Sequence, residues 1–150
     1  MAETVTVKNR DEFMKALEAR VGKYETAAVY GLSQVAFAVE REAKHNIDGK
    51  HSKGEPHVTN STGGPNNVTG ALRRSIHTEI PTRKGFGTYS AKVFPTMVYS
   101  RRVELGGTHE RNGHVISTRP FPYLTPALAS VKPKANQIFT AAVARRLVRG

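Results

Sequence analysis

Residues 10–44 read RDEFMKALEARVGKYETAAVYGLSQVAFAVEREAK, and the spacing of their apolar residues decides the fold. Phe13, Leu17, Val21, Tyr24, Ala28, Leu32, Val35 and Val39 succeed one another at intervals of 4, 4, 3, 4, 4, 3 and 4. Intervals of three and four keep a residue on one face of a helix with 3.6 residues per turn, so the stretch predicts one long amphipathic helix. Asn9 is placed to cap it, and Glu12 to reach back in a capping box. Gly22 and Gly31 each weaken it by up to about 1 kcal/mol relative to Ala, which allows a kink. In the second half the apolar face widens through Tyr30, Ala36, Phe37 and Ala38. A helix of this length exceeds what one small domain covers, so its second half is expected to meet a partner subunit around Tyr30, Ala36, Phe37 and Ala38.

The rest of the chain is broken into shorter pieces. Residues 46–68 mix Gly and Pro with polar residues and show no apolar period, which predicts a loop that is mobile alone and ordered against a neighbour. Residues 75–80 and 89–94 carry short β-prone runs, with Tyr89, Ala91 and Val93 alternating, and Pro81 to Gly87 would turn between them. Met97–Leu105 predicts one or two helical turns stopped by Gly106-Gly107. Asn112-Gly113 marks a tight hairpin within 109–117. A final helix is expected from Pro126 behind a Thr125 cap, with a break at Pro133; beyond it Ile138, Phe139, Ala142, Val143 and Leu147 face the core. These elements make an α+β fold: a small antiparallel sheet packed against a long N-terminal and a C-terminal helix.

Composition narrows the function. With 150 residues the chain suits a single domain. The absence of Cys excludes disulfides, thiolate metal sites and cysteine nucleophiles. No apolar run is long enough to span a bilayer, so no membrane role is expected. The start of the chain is too polar for a secretory signal, which makes the sequons at Asn60 and Asn67 coincidental. Residues 1–50 carry eight basic and eight acidic side chains, whereas 51–150 carry fifteen basic and four acidic, so the whole net charge of +11 lies in the later part. Such a field suits a nucleic acid or an acidic protein surface.

Candidate chemistry is sparse. His45, His51 and His57 lie six residues apart without the short paired spacing of a zinc site, and His77, His109 and His114 fall on strand or hairpin positions. Glu55, Glu79, Glu104 and Glu110 are scattered, and no nucleophile elbow or phosphate loop is present. No enzyme, metal or cofactor is therefore expected. The basic pairs Arg73-Arg74, Arg83-Lys84, Arg101-Arg102 and Arg145-Arg146 lack interleaved aromatics and do not form a contiguous recognition helix, so they fit a diffuse basic surface near DNA or an acidic partner rather than base-specific binding.

Three segments carry a family resemblance: Thr69–Ile76 (TGALRRSI), Tyr99–Gly106 (YSRRVELG) and Arg119–Leu128 (RPFPYLTPAL). In this order they resemble the head–tail joining proteins (neck or tail-completion proteins) of long-tailed double-stranded DNA phages. Leu105 stands where that family commonly has Phe, and Gly107 precedes Thr108 where it often has Gly-Thr directly. The resemblance covers about residues 10–148. It implies a non-catalytic connector component in the virion, assembled in the host cytoplasm as a ring, six-fold by expectation, through which the genome passes between neighbouring connector and tail proteins. A tail terminator capping the tail tube is the alternative within the same assembly, and a basic DNA-binding accessory protein is the alternative outside it. Residues expected at subunit or partner interfaces are Tyr30, Phe37, Arg73, Arg74, Arg101, Arg102, Glu104, Arg119, Phe121 and Tyr123. Glu104, nearly alone among arginines, is expected to pair with Arg101, Arg119 or an arginine of a neighbouring subunit.

Overall fold

The computed structural model describes residues 10–48, 63–85 and 87–149. Asn9 and most of the 46–68 loop lie outside them. The elements run α1 (Arg10–His45), α2 (Ala71–Arg74), β1 (Ile76–Gly85), β2 (Thr88–Pro95), α3 (Ser100–Leu105), β3 (Gly107–Arg111), β4 (His114–Thr118), α4 (Leu124–Val131), a 3-10 turn (Lys132–Lys134) and α5 (Ala135–Arg149). This is an α+β fold, with one long helix, a C-terminal helical pair and two antiparallel hairpins. The two hairpins are separate two-stranded sheets rather than one sheet.

The stripe on α1 organises the core only along its second half. Ala38, Val39, Ala43 and Ile47 pack with Ile76 of β1, Tyr123, and Ala127 and Val131 of α4, while Val35, Val93, Val103 and Ile138 close around them. Many of these are small, so helices approach closely. At Gly31 a Cβ would lie 2.8 Å from Val143 Cγ2 and 2.9 Å from Phe139 Cδ2, both on α5. Asn46 meets Tyr123 and Gly31 meets Phe139 and Val143, so α4 and α5 run back along α1 in the opposite direction.

Each departure from expectation has a local reason. Pro81 does not end the first strand: β1 continues to Gly85, and the register slips between Glu79 and Thr82, where the missing Pro N–H is accommodated. The β1–β2 hairpin is held to α1 by Thr78 Oγ1, which donates to Glu40 Oε2 at 2.5 Å, and by Arg83, 3.6 Å from Glu25. Asn112 and Gly113 both take positive φ, 53° and 75°, as a two-residue hairpin turn requires. The helix within 97–105 runs Ser100–Leu105, six residues and within the one or two turns expected. The final helix starts at Leu124, two residues before Pro126, and Thr125 is not its cap. Pro133 sits in the 3-10 turn that separates α4 from α5.

The described ends of the 46–68 segment are fastened: Ile47 is 1% exposed, and Gly64 and Pro65 are buried. Ala36 and Ala38 of α1 are buried within the subunit, so they are core rather than partner contacts, while Tyr30 and Phe37 are exposed. The bare apolar surface lies instead on the first half of α1, where every residue from Arg10 to Tyr24 is exposed.

Candidate functional site

The three segments that carry the family resemblance, separated by 22 and 12 residues of sequence, meet in one place. The first turns at Gly70, φ 74°, and winds one helical turn whose end is tied off by Ser75, its hydroxyl donating to Leu72 O at 2.7 Å. Ser75 O in turn accepts the N–H of Thr96 at 3.0 Å, which joins this segment to the end of β2. The second segment, α3, stops at Gly106 with φ 70° and ψ −166°, a region open only to Gly. A Cβ there would lie 2.8 Å from both Thr118 O and Pro120 N. The third segment is sewn to the second by Phe121 N, which donates to Val103 O at 2.8 Å.

Glu104 is the centre of this junction. Its Oε2 accepts the N–H groups of Tyr123 at 2.8 Å and Leu124 at 3.0 Å, and its Oε1 accepts that of Thr125 at 2.8 Å. A helix starts with unpaired N–H groups and a partial positive charge, and no side chain of α4 itself caps it. The carboxylate from α3 supplies that cap across nineteen to twenty-one residues of sequence. Burial pushes the Glu104 pKa up, but the N–H groups of Leu124, Tyr123 and Thr125 and the Thr125 hydroxyl outweigh it and hold the group below its ordinary value. Within the subunit the Glu104 carboxylate is thus a helix cap, a role that the expectation of an arginine partner did not include. Beside it, burial and the Glu104 charge push the Tyr123 phenol up to about 12, and its hydroxyl is hydrogen-bonded to the Ser100 side chain.

The proposed interface residues thus divide. Phe121 and Tyr123, 6% and 1% exposed, are core residues of this subunit rather than surface contacts. Arg73, Arg74, Arg101, Arg102 and Arg119 are exposed around the junction. Arg74 donates to Thr69 O at 3.1 Å, and Arg119 lies 4.9 Å above the Phe121 ring, a cation–π contact. Between the three segments lies a largely apolar cavity of about 400 Å³, bounded by Ile47, Val68, Leu72, Val103 and Phe121, with Arg102 at its wall. A second cleft of about 400 Å³ brings Phe37 and Arg73 together with Glu40, Arg41, Lys44 and His45. Tyr30 joins neither. Among the described residues no three His, Asp or Glu side chains converge as a metal site, and His51 and His57 lie outside them. No described helix is long and apolar enough to cross a membrane. The first cleft offers an apolar wall with Arg102 beside it, and the second sets Phe37 among Arg41, Lys44 and Arg73, arrangements suited to docking an amphipathic and an acidic surface respectively.

Comparison of the chain with family models, curated sequences and solved structures finds no match.

Proposed function

We propose that the protein is a non-enzymatic structural component of a phage neck, which joins the capsid connector to the tail within a homo-oligomeric, six-fold ring through which DNA passes. The observation that carries this reading is the convergence of the three resembling segments on one buried junction. Thr69–Ile76, Tyr99–Gly106 and Arg119–Leu128 meet through the Glu104 cap, the Phe121–Val103 hydrogen bond and a shared cavity. A chance likeness between short segments gives no reason for them to share one structural unit. The exposed cations around that unit are the groups that would meet acidic rings above and below. They set register and association rate, while α2 and α3 hold the arginines on short rigid elements.

The test is a particle assay. Mass spectrometry of purified virions should find the chain at ring stoichiometry. The double reversal Arg101→Glu/Arg102→Glu, on exposed positions of α3, should leave the subunit folded and yield heads and tails that fail to join. Absence from virions would overturn the reading. Joined particles that mishandle their DNA would instead place these arginines on the conduit wall, where a non-specific positive field meets phosphates.

A further inference from the structure

The first half of α1 carries an apolar stripe that none of the other described residues covers. Phe13 is 63%, Leu17 44%, Val21 49% and Tyr24 61% exposed, while Val39 and Ala43 on the same stripe are 6% and 0% exposed. The stripe repeats every eleven residues: Phe13, Tyr24 and Val35; Leu17, Ala28 and Val39; Val21, Leu32 and Ala43. An eleven-residue repeat amounts to about 3.67 residues per turn, close to the helix's own period, so the stripe stays on one face along the whole length. Over its second half that face is filled by α4 and α5. The exposed part is fifteen residues, roughly 22 Å at 1.5 Å per residue. A helix that short is marginal in water by itself, and Gly22 weakens it further.

The charges beside the stripe identify what fits on it. Asp11, Glu18 and Glu25 recur at intervals of seven along one border; Arg20 lies on the other, Lys23 and Glu12, eleven residues apart, share a position farther round, and Lys15 lies on the back. Glu25 is already met by Arg83 of the same subunit, which leaves Asp11 and Glu18 to face a neighbour. When identical helices pack side by side in the same direction, the border of one that carries Arg20 meets the acidic border of the next. Packed in opposite directions, like borders meet. We propose that the first half of α1 is a self-association surface whose occupant is the same segment of a second copy, in parallel orientation. Parallel contact closes into a cyclic assembly with its axis along α1. This surface is compatible with the ring proposed above but rests on the helix alone.

The experiment uses the full chain. Sedimentation at micromolar concentrations should show an oligomer, and Leu17→Glu/Val21→Glu should convert it to a folded monomer with its melting temperature largely kept. Arg20→Glu/Lys23→Glu should weaken association at least tenfold, and adding Asp11→Lys/Glu18→Lys should restore it. The chain lacks Cys, so single Phe13→Cys and Tyr24→Cys variants report direction. In a parallel assembly each forms a disulfide-linked dimer with itself. Cross-linking only in a mixture of the two variants means antiparallel packing and overturns the proposal. So does a monomer at all concentrations, an oligomer indifferent to Leu17→Glu/Val21→Glu, or a monomer that gains helix only on phosphatidylcholine–phosphatidylserine vesicles. Virion content does not enter this test, so its failure and that of the neck reading are distinguishable.

Discussion

The two halves of α1 share one apolar repeat and meet opposite fates. From Val35 to Ala43 the stripe is packed against α4, α5 and the first hairpin; from Phe13 to Tyr24 it faces solvent. Periodicity therefore sets which face of a helix is apolar, and only the reach of the remaining chain sets how much of it is covered. Here α4 and α5 run back along α1 and α5 ends before the stripe does. The folded subunit is, in effect, a covered half-helix with a bare extension.

The strongest way to break that contrast is to put a charge at equivalent stripe positions. Ala43→Asp places an unpaired carboxylate among Ile47, Ile76 and Tyr123, and should cost roughly 4 kcal/mol or prevent folding. Leu17→Asp, on the same stripe, should change the stability of the dilute monomer by less than about 0.5 kcal/mol. Urea titration of both variants at submicromolar protein checks this. Equal losses would mean that the bare half is part of the cooperative core.

Next in size is the cap that holds the cover in place. Glu104→Ala removes the acceptor of three N–H groups at the start of α4, and should cost roughly 2–3 kcal/mol. Hydrogen exchange should then quicken in α4 and in residues 35–47, while residues 10–24 exchange fast in both proteins. The same carboxylate predicts an acid response. Its folded pKa lies below the ordinary 4.5, so its contribution is complete above that value and is lost as pH falls through the folded pKa. Glu40 acts in the same direction: burial raises its pKa, but Lys44 and Thr78 lower it further. Stability should thus fall below about pH 4.5, and Glu104→Ala should flatten that slope without abolishing it, since Glu40 remains.

Much of this organisation is legible in the residues, and the parts that are not share a cause. The span of α1 follows from its apolar period, and the Asn112-Gly113 turn and the break at Pro133 follow from signals a few residues long. Glu104 has no such signal: its partners lie nineteen to twenty-one residues away, and a carboxylate amid Arg101, Arg102 and Arg119 reads locally as an ion-pair partner. The Thr125 cap fails for the same reason, because a carboxylate from outside the helix takes the place a Thr at that point would otherwise fill. Phe121 and Tyr123 are expected at an interface from the resemblance, yet the junction buries both. The wider apolar face from Tyr30 to Ala38 divides in the same way: Ala36 and Ala38 serve the subunit's own close helix packing, while Tyr30 and Phe37 stay exposed.

The smallest effect separates the halves most directly, since one substitution should have two signs on one helix. At Gly22 an added Cβ meets nothing within 4 Å, so Gly22→Ala only removes the backbone entropy cost of Gly, worth up to about 1 kcal/mol of local helix. Because the bare half is not packed on the core, that gain should appear as increased helical circular dichroism and slower local exchange, with the global melting temperature unchanged. At Gly31 the same methyl would press on Val143 and Phe139 at 2.8 and 2.9 Å. Overpacking costs of about 1–3 kcal/mol then exceed the propensity gain, and α5 must move away from α1. Gly31→Ala should therefore lower global stability by about 1 kcal/mol. A rise in melting temperature for Gly22→Ala would show that the extension unfolds together with the core, and would move the boundary between the halves toward the start of α1.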